Sequence, residues 1–338
     1  MDVAELGEFG LIKHLTHDVK INNSSTIVGV GDDCAVLHYP DRQVLVTSDL
    51  LMEGVHFDLT YTPLKHLGYK SAMVNLSDIF AMGGTPRQLV VSIALSKRFQ
   101  VEDMEEFYAG IKLAADKWGV DIVGGDTTSS FTGFAISITA IGEARKDDII
   151  LRSGAKPTDL ICVSGDLGAA YMGLQLLERE KKVGLQDDEA AQAAFEGKEY
   201  LLERQLKPEA RGDIIEQLHA MNIRPTAMMD ISDGLSSELI HICTQSHCGC
   251  RVYEKNIPID YQTAVMAEEM NLNVTTCALN GGEDYELLFT VPITDKEKVE
   301  AMDDVKLIGY ITEEKYGRLL ISRDDAEFEL KAQGWIGF

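Results

Sequence analysis

Basic residues are scarce in this chain of 338 residues, which has 31 Lys and Arg against 55 Asp and Glu, a formal net charge of −24. Such an excess of negative charge argues against DNA, RNA or an anionic membrane surface as the partner. It does not exclude nucleotides, because a bound divalent cation reverses the local charge. The chain also lacks any run approaching the roughly 20 apolar residues of a membrane span.

Cysteine is sparse as well, with six residues, and they do not form a disulfide framework. The segment His241 to Cys250, HICTQSHCGC, resembles a ligand cluster, but no CxxC pair is present and the spacing fits no common zinc pattern. Buried reduced thiols on a helix and its exit turn are the favoured interpretation, with a metal site as the alternative. The start of the chain has no secretory signal pattern, so we expect a cytoplasmic protein.

Several familiar catalytic motifs are absent: the sequence has no GxxxxGK[ST] loop, no HRD and DFG pair, no GxSxG elbow and no HExxH helix. The two commonest nucleotide-binding folds are therefore disfavoured. An enzyme built on this chain has to work mainly through carboxylates and metal ions.

Carboxylates beside glycine, in contrast, recur throughout. Val28 to Val36 reads VGVGDDCAV, Thr47 to Phe57 reads TSDLLMEGVHF, and further aspartates follow apolar runs at Asp78, Asp126, Asp230 and Asp233. An Asp beside Gly usually belongs to a turn or a helix N-cap. Repetition at predicted strand ends instead indicates one shared site, because gathered carboxylates repel one another and need cations such as Mg²⁺.

The order of elements predicts an α/β (α+β) fold with two domains. Residues 1–147 read as a mainly antiparallel sheet with helices, among them Val101–Trp118 with a stop at Gly119. Residues 148–338 read as an α/β domain. Its turn Gly165 to Gly168, GDLG, is predicted as an ordinary strand-to-helix turn, with an anion-binding turn as the alternative.

Seven segments, in this order, carry a resemblance to a known family: GVGDDCAV, SDLLMEGVHF, AMVNLSDIFAMGGTP, IVGGDTTSS, LRSGAKPTD, MMDISDGLSSEL and GGEDYELLFT. Together they closely resemble thiamine-monophosphate kinase, of the superfamily that includes aminoimidazole ribonucleotide synthetase. The resemblance spans nearly the whole chain. It departs from the family at Ala169 and Ala170, where a Ser is frequent, and at Gln205, where a His is common.

The resemblance implies the two-domain fold of that superfamily, with residues 1–147 binding metal and ATP and forming a homodimer, and residues 148–338 completing the nucleotide and substrate site. It implies ATP-dependent phosphorylation of thiamine phosphate to thiamine diphosphate with several Mg²⁺ ions. Position by position, it implies as Mg²⁺ ligands Asp33, Thr47, Ser48, Asp49, Asp78, Asp126, Asp230 and Asp233, of which Asp33, Asp49, Asp78, Asp126 and Asp230 are the expected catalytic set. The implied nucleotide contacts are Tyr108, Gly125, Asp126, Arg152 and Ser232, and the implied thiamine contacts are His56, Glu283 and Trp335.

Two other functions stay open at this point. A ring-forming synthetase of the same superfamily would phosphorylate a carbonyl oxygen and then release phosphate. A non-catalytic acidic scaffold would bind Mg²⁺ or Ca²⁺ without turning over ATP.

Overall fold

The computed structural model describes residues 14–28, 36–183 and 195–333. By its contacts the chain divides into two compact units, Met1–Ile149 and Ile150–Phe338. Each unit combines a sheet with helices, so the predicted mixed α/β fold is confirmed. Within the described ranges, no helix has the length and apolar character needed to cross a membrane.

The first unit contains a four-stranded sheet, with two long helices on one face, and a separate two-stranded sheet. Its strands are β1 Thr26–Val28, β2 Val36–Leu37, β3 Gln43–Met52, β4 Thr85–Leu95, β5 Asp121–Ser129 and β6 Ala135–Ala144, and its helices are α1 Leu64–Ala81 and α2 Val101–Trp118. The sheet order is β3-β6-β4-β5, and β1 pairs with β2 separately. The pairs β3–β6 and β6–β4 are antiparallel and β4–β5 is parallel, as the mainly antiparallel prediction requires.

Helix α1 lies in the interior of this unit, against the sheet on one side and α2 on the other. The two helices cross closely at Gly68 and Gly110, where a Cβ atom would overlap the backbone carbonyl of the other helix. Helix α2 has the predicted bounds. A capping box between Gln100 and Asp103 begins it, and Gly119 ends it with a φ of 62°.

The second unit is built on a seven-stranded sheet with the order β13-β12-β9-β11-β7-β10-β8. The strands are β7 Leu160–Ser164, β8 Ala227–Asp230, β9 Cys248–Tyr253, β10 Leu287–Val291, β11 Val305–Glu313, β12 Arg318–Ile321 and β13 Glu327–Glu329. The helices are α3 Ala169–Val183, α4 Glu199–Leu206, α5 Gly212–Ala220, α6 Leu235–Ser246, α7 Tyr261–Glu269, α8 Val274–Asn280 and α9 Lys296–Glu300. All strand pairs are antiparallel except β9–β12.

Strand β10, next to the last strand of the sheet order, is buried along its whole length and pairs with β7 and β8. Residue Leu287, at its start, is paired with Asp230, at the end of β8. The loops that enter β10 and leave β8 therefore meet at one end of the sheet. This end carries most of the charged side chains of the second unit that are buried.

Candidate active site

Strand β3 and helix α1 bring three of the expected site residues together in the first unit. The Thr47 hydroxyl donates a hydrogen bond to Asp78 Oδ2 at 2.5 Å. One turn earlier on α1, the buried Asn75 accepts a hydrogen bond from the backbone N–H of Asp49 through its Oδ1 at 3.0 Å. The hydroxyl and both carboxylates thus lie where the helix faces the strand.

The Asp49 carboxyl is electrostatically unfavourable in its charged form. Burial, and then the neighbouring Asp78 carboxylate, raise its pKa to about 6. An oxygen-rich pair of carboxylates with this repulsion is stabilised by a cation between or beside them. Asn75 was not among the predicted site residues, although Asn75 lies in the NLSD motif, three positions before Asp78.

The prediction that these aspartates stand at strand ends is wrong for three of them. Asp49 and Asp126 lie inside β3 and β5, and Asp78 lies within α1. Both strands continue beyond their aspartates because the pairing with β6 and β4 is unbroken there. A carboxylate in the middle of a strand is tolerated here because it reaches the helix layer or solvent.

Two of the expected Mg²⁺ ligands, Asp126 and Ser48, do not lie beside the Asp49 and Asp78 carboxylates within one chain. Asp126 is exposed on β5, at the sheet edge opposite β3, so three strand spacings of about 4.8 Å separate the two strands. Ser48 points to the other face of β3 from Thr47 and Asp49, because side chains alternate along a strand. Its hydroxyl donates to the carbonyl oxygen of Ile138 at 3.2 Å. Within one chain the structure therefore does not bring these two residues to Thr47, Asp49 and Asp78.

The other expected residues of the first unit occupy varied positions. Tyr108 is only 6% exposed on α2, and burial raises its pKa to about 12. Gly125 lies against β4 so closely that a Cβ atom would overlap the Val91 carbonyl, which gives this glycine a structural role. His56 is exposed just beyond β3, and its Nδ1 accepts the backbone N–H of Met52 at 3.0 Å.

In the second unit two loops form a joint framework at the end of the sheet. The DISDG loop is Asp230–Gly234, and the GGEDYE loop is Gly281–Glu286. The backbone N–H groups of Tyr285 and Glu283 donate to the carbonyl oxygens of Ile231 at 2.9 Å and Ser232 at 2.7 Å. Glu283 and Tyr285 have φ angles of 57° and 52°, an unfavourable conformation for residues with side chains. These bonds fix the two loops to each other.

The DISDG loop carries three of the expected residues. Asp230 is buried, Ser232 is half-buried and Asp233 is exposed. Beneath them lies Glu238, the side chain of which is buried and accepts backbone N–H groups of the loop. Burial, followed by the Asp233 and Asp230 carboxylates, raises the pKa of Glu238 to about 7 despite these hydrogen bonds. Glu238 was not among the predicted site residues.

The GGEDYE loop holds Glu283 through a residue of α4. The amide Nε2 of Gln205, which is buried, donates to Glu283 Oε2 at 2.8 Å. The adjacent Asp284 is fully buried and accepts the backbone N–H groups of Gly168 at 2.9 Å and Ala170 at 3.4 Å. The start of α3 is therefore capped by a carboxylate of this protein. This finding supports the ordinary turn over an anion-binding turn at Gly165 to Gly168.

Two arginines support the end of the loop from below. Arg204 Nη1 donates to Glu286 Oε1 at 2.8 Å, and Arg211 Nη1 donates to Glu286 Oε2. The Ser164 hydroxyl also donates a hydrogen bond to Glu286 Oε2 at 2.5 Å. The sequence signal for this network is the run Glu283, Asp284 and Glu286 directly before the apolar strand β10, since carboxylates drawn into a buried strand end require cationic partners.

Arg152, Asp33 and Trp335 are the other expected site residues. Arg152 is exposed in the second unit. Asp33 and Trp335 lie outside the described residues. The thiols of Cys243, Cys248 and Cys250 are free and buried, as expected, although the last two lie on β9 and not on a turn.

Among the residues that the structure describes, no group of three or more His, Cys, Asp or Glu side chains is arranged to hold a metal ion. The donor chemistry at Thr47, Asp49 and Asp78 nevertheless fits Mg²⁺, which is commonly held by one or two carboxylates while water and substrate phosphates supply the other ligands. The raised pKa of Asp49 shows the same need for positive charge. The buried thiols, in contrast, offer no such site.

Comparisons with known proteins place the chain among named relatives. Residues 31–144 match the family model of the AIR synthase related protein, N-terminal domain. The chain is 32% identical to the thiamine-monophosphate kinase of Bacillus subtilis over 98% of its length and all of the relative's, and 35% identical to that of Aquifex aeolicus over 93% of its length and 94% of the relative's. The solved structure of AaThiL complexed with AMPPCP and TMP superposes with a TM-score of 0.76 at 32% identity, covering 100% of this chain and 99% of that one.

Proposed function

This chain belongs to the thiamine-monophosphate kinase family and phosphorylates thiamine phosphate to thiamine diphosphate with ATP, and we propose that the transfer is direct, in line and assisted by Mg²⁺. The observation that carries the Mg²⁺ proposal is the pair Asp49 and Asp78. Their repulsion, visible in the raised pKa of Asp49, is offset when a cation binds.

The charge of the reactants explains why the chain is built this way. The phosphoryl donor and the acceptor phosphate are both anions, so their repulsion is a major part of the barrier. Mg²⁺ held by the Asp49 and Asp78 carboxylates would offset that repulsion and polarise the phosphoryl oxygens. The residues of the chain hold the two groups in a reactive arrangement, and orientation of this kind contributes a large part of catalysis.

We assign the roles as follows. Asp49 and Asp78 hold Mg²⁺, with the Thr47 hydroxyl orienting Asp78 Oδ2 and Asn75 fixing the β3 backbone at Asp49. The acceptor phosphate is already ionised at neutral pH and needs no strong general base, so no histidine is required in that role. The other implied residues remain proposals: Asp33, Ser48, Asp126, Asp230 and Asp233 for Mg²⁺, Tyr108, Gly125, Arg152 and Ser232 for ATP, and His56, Glu283 and Trp335 for thiamine.

The domain roles remain proposals too: residues 1–147 bind metal and ATP and form the dimer, and residues 148–338 complete the nucleotide and substrate site. A cytoplasmic location belongs to the same proposal, because reduced thiols are maintained in that compartment. The described cysteines are free and buried.

One assay separates this function from its alternatives. ATP consumption is measured with and without thiamine phosphate, and the products are resolved. The kinase requires thiamine phosphate and leaves the transferred phosphoryl group on it. A ring-forming synthetase would release inorganic phosphate, and a metal-binding scaffold would consume no ATP under either condition.

A homodimer is the second part of the proposal, and the open face of the first sheet supports it. Helices α1 and α2 cover one face, whereas β3 presents apolar side chains on the other. Val44, Val46, Leu50 and Met52 are 47%, 65%, 58% and 38% exposed. A row of exposed apolar side chains on an edge strand is typical of an interface between copies of a chain. We propose that a second copy covers this face.

The double substitution Val44→Lys and Val46→Lys is expected to convert the dimer into a monomer. Two charges on the proposed interface would have to be desolvated in the dimer, whereas in the monomer they stay in water. Sedimentation velocity at micromolar concentration measures the state. Leu113→Lys is the matched control, because Leu113 is 48% exposed on the helix layer of the same unit. A wild type that is already monomeric, or a double variant that remains a dimer, would contradict the proposed surface.

Replacement of Gln205 is expected to raise the KM for thiamine phosphate and to leave the KM for ATP unchanged. Because its Nε2 donates to Glu283 Oε2, Gln205→Leu removes a buried hydrogen-bond donor from that carboxylate and weakens its orientation. Loss of one such hydrogen bond, about 1–1.5 kcal/mol, corresponds to a rise of roughly tenfold in KM for thiamine phosphate. Steady-state kinetics with each substrate varied separately test this. An equal rise in the KM for ATP would contradict the assignment of Glu283 to the thiamine phosphate site. The variant Gln205→His, which has a donor nitrogen, should recover part of the lost affinity for thiamine phosphate.

A further inference from the structure

The DISDG loop is held from below by a side chain to which no role has been given. Glu238 stands in the first turn of α6 and is 1% exposed. Its Oε1 accepts the backbone N–H groups of Ser232 at 3.2 Å and Asp233 at 2.9 Å. One carboxylate oxygen therefore fixes two successive peptide groups of the loop.

The same loop is fixed from the opposite side by the GGEDYE loop. The carbonyl oxygen of Ser232 accepts the backbone N–H of Glu283 at 2.7 Å. Gly234, with a φ of 115°, then turns the chain into α6, and a Cβ atom there would overlap the backbone of Asn280. Both polar groups of the Ser232 backbone are thus occupied, and the loop has little freedom to shift.

The second oxygen of Glu238 shows that the arrangement is not made for stability alone. Oε2 is buried and has no hydrogen-bond partner within the part of the chain that the structure describes. A buried carboxylate oxygen without a partner destabilises the fold. A helix start could be capped at lower cost by a serine or an asparagine.

We infer that Glu238 is a positioning residue for phosphoryl transfer, which holds the DISDG loop so that Asp230, Ser232 and Asp233 face the reactants. It touches neither substrate, and it acts through the Ser232 and Asp233 backbone. This inference rests on the proposed roles of those three residues. It predicts that the backbone contacts of Glu238, more than its charge, are what catalysis requires.

The test uses two substitutions of the full chain. Glu238→Ala removes the acceptor, and displacement of a site loop by about 1 Å corresponds to a loss of roughly 10²-fold in kcat. Glu238→Gln keeps an acceptor oxygen of the same reach and is expected to stay within about fivefold of wild type. The KM values for ATP and thiamine phosphate should change less than kcat does.

Asp159→Ala is the matched control. Asp159 is a buried carboxylate at the other end of the sheet, which accepts the Lys156 backbone N–H at 2.9 Å and the Thr226 hydroxyl at 2.7 Å. Its loss should lower Tm while kcat at a temperature where the protein is folded stays unchanged. If Asp159→Ala lowers kcat as much as Glu238→Ala does, the effect of Glu238 is general destabilisation and the inference fails.

Hydrogen–deuterium exchange tests the contact independently of the reaction. The Ser232 and Asp233 amides should exchange faster in Glu238→Ala than in wild type, and Glu238→Gln should restore their protection. Unchanged exchange would overturn the inference even if kcat falls. Faster exchange with normal kcat would leave Glu238 as a structural cap only, and absence of thiamine-phosphate-dependent turnover in the wild type would instead refute the proposed function.

Discussion

Asp49→Asn is expected to lower kcat by about 10³-fold while leaving the protein folded. Asn keeps the size of the side chain but removes the charge that holds Mg²⁺ beside Asp78, and a metal ion on a transferring phosphoryl group is worth several kcal/mol. The Asn75 hydrogen bond to the backbone of residue 49 does not involve the carboxyl group, so it survives the substitution. Steady-state turnover at saturating Mg²⁺ measures the loss.

The same variant should be more stable than the wild type when Mg²⁺ is removed with a chelator. The folded-state pKa of Asp49 is about 6, above the ordinary value near 3.9 in the unfolded chain. A carboxyl group with a raised folded-state pKa destabilises the fold most at pH values above that folded-state pKa. The destabilisation disappears as the pH falls below the pKa of the unfolded chain. The stability difference between variant and wild type should therefore be near zero at pH 4 and grow through pH 6. Because the side chain is partly exposed, about 1–2 kcal/mol is the expected plateau.

Asp116→Asn, an exposed aspartate on α2, serves as the control and should change neither turnover nor stability. The result against the proposal would be near-normal turnover of Asp49→Asn at saturating Mg²⁺. A variant that is inactive and also less stable at pH 7 would mean that the carboxylate is a structural acceptor. The two measurements together separate a metal ligand from a fold determinant.

The regular parts of this fold are readable from the sequence because each depends on local signals. Helix α2 has an apolar stripe, an acidic first turn and Gly119 at its end, and its predicted bounds are those of the structure. The short helices α8 and α9 were not predicted, because seven and five residues carry too little periodicity.

The location of the carboxylates was harder to read. An Asp beside Gly after an apolar run is typical of a strand end, yet β5 continues through Gly125 and Asp126 because β4 pairs with it to Ser129. Sheet order was equally hidden: β5 follows α2 in the chain but lies at the edge opposite β3. Tertiary pairing, which no local pattern encodes, decides which aspartates meet.

The buried charge network of the second unit was not predicted either, since its members are far apart in the sequence. Glu286 lies on the GGEDYE loop, whereas Arg204 and Arg211 lie in and after α4. In the sequence these arginines look like ordinary helix-surface residues. The pairing of Leu287 with Asp230 brings the start of β10 to this end of the sheet, where Asp284 and Glu286 of the GGEDYE loop are buried.

Glu286→Ala is expected to be the most destabilising single change in the second unit. It leaves the side chains of Arg204 and Arg211, which are 15% and 10% exposed, without the carboxylate that both contact. Removing one partner of a buried ion pair costs about 3–5 kcal/mol. Arg204 keeps Asp284 at 3.8 Å and Arg211 keeps Asp213 and Asp304, so the loss is expected at the lower end of that range. The Ser164 hydroxyl also loses its acceptor, so Tm should fall by about 10 °C.

Glu327→Ala provides the matched control, because Glu327 also pairs with an arginine, Arg251, but is half exposed. An exposed pair contributes about 0–1 kcal/mol, so its loss should change Tm by no more than about 2 °C. Chemical denaturation of both variants gives the free energies of unfolding. Equal effects of the two substitutions would show that Glu286 is not the centre of a desolvated network. If Glu286→Ala lowers Tm more than Glu327→Ala does, the ion pairs of Glu286 hold the GGEDYE loop in place. These ion pairs then also maintain the positive φ angles of Glu283 and Tyr285.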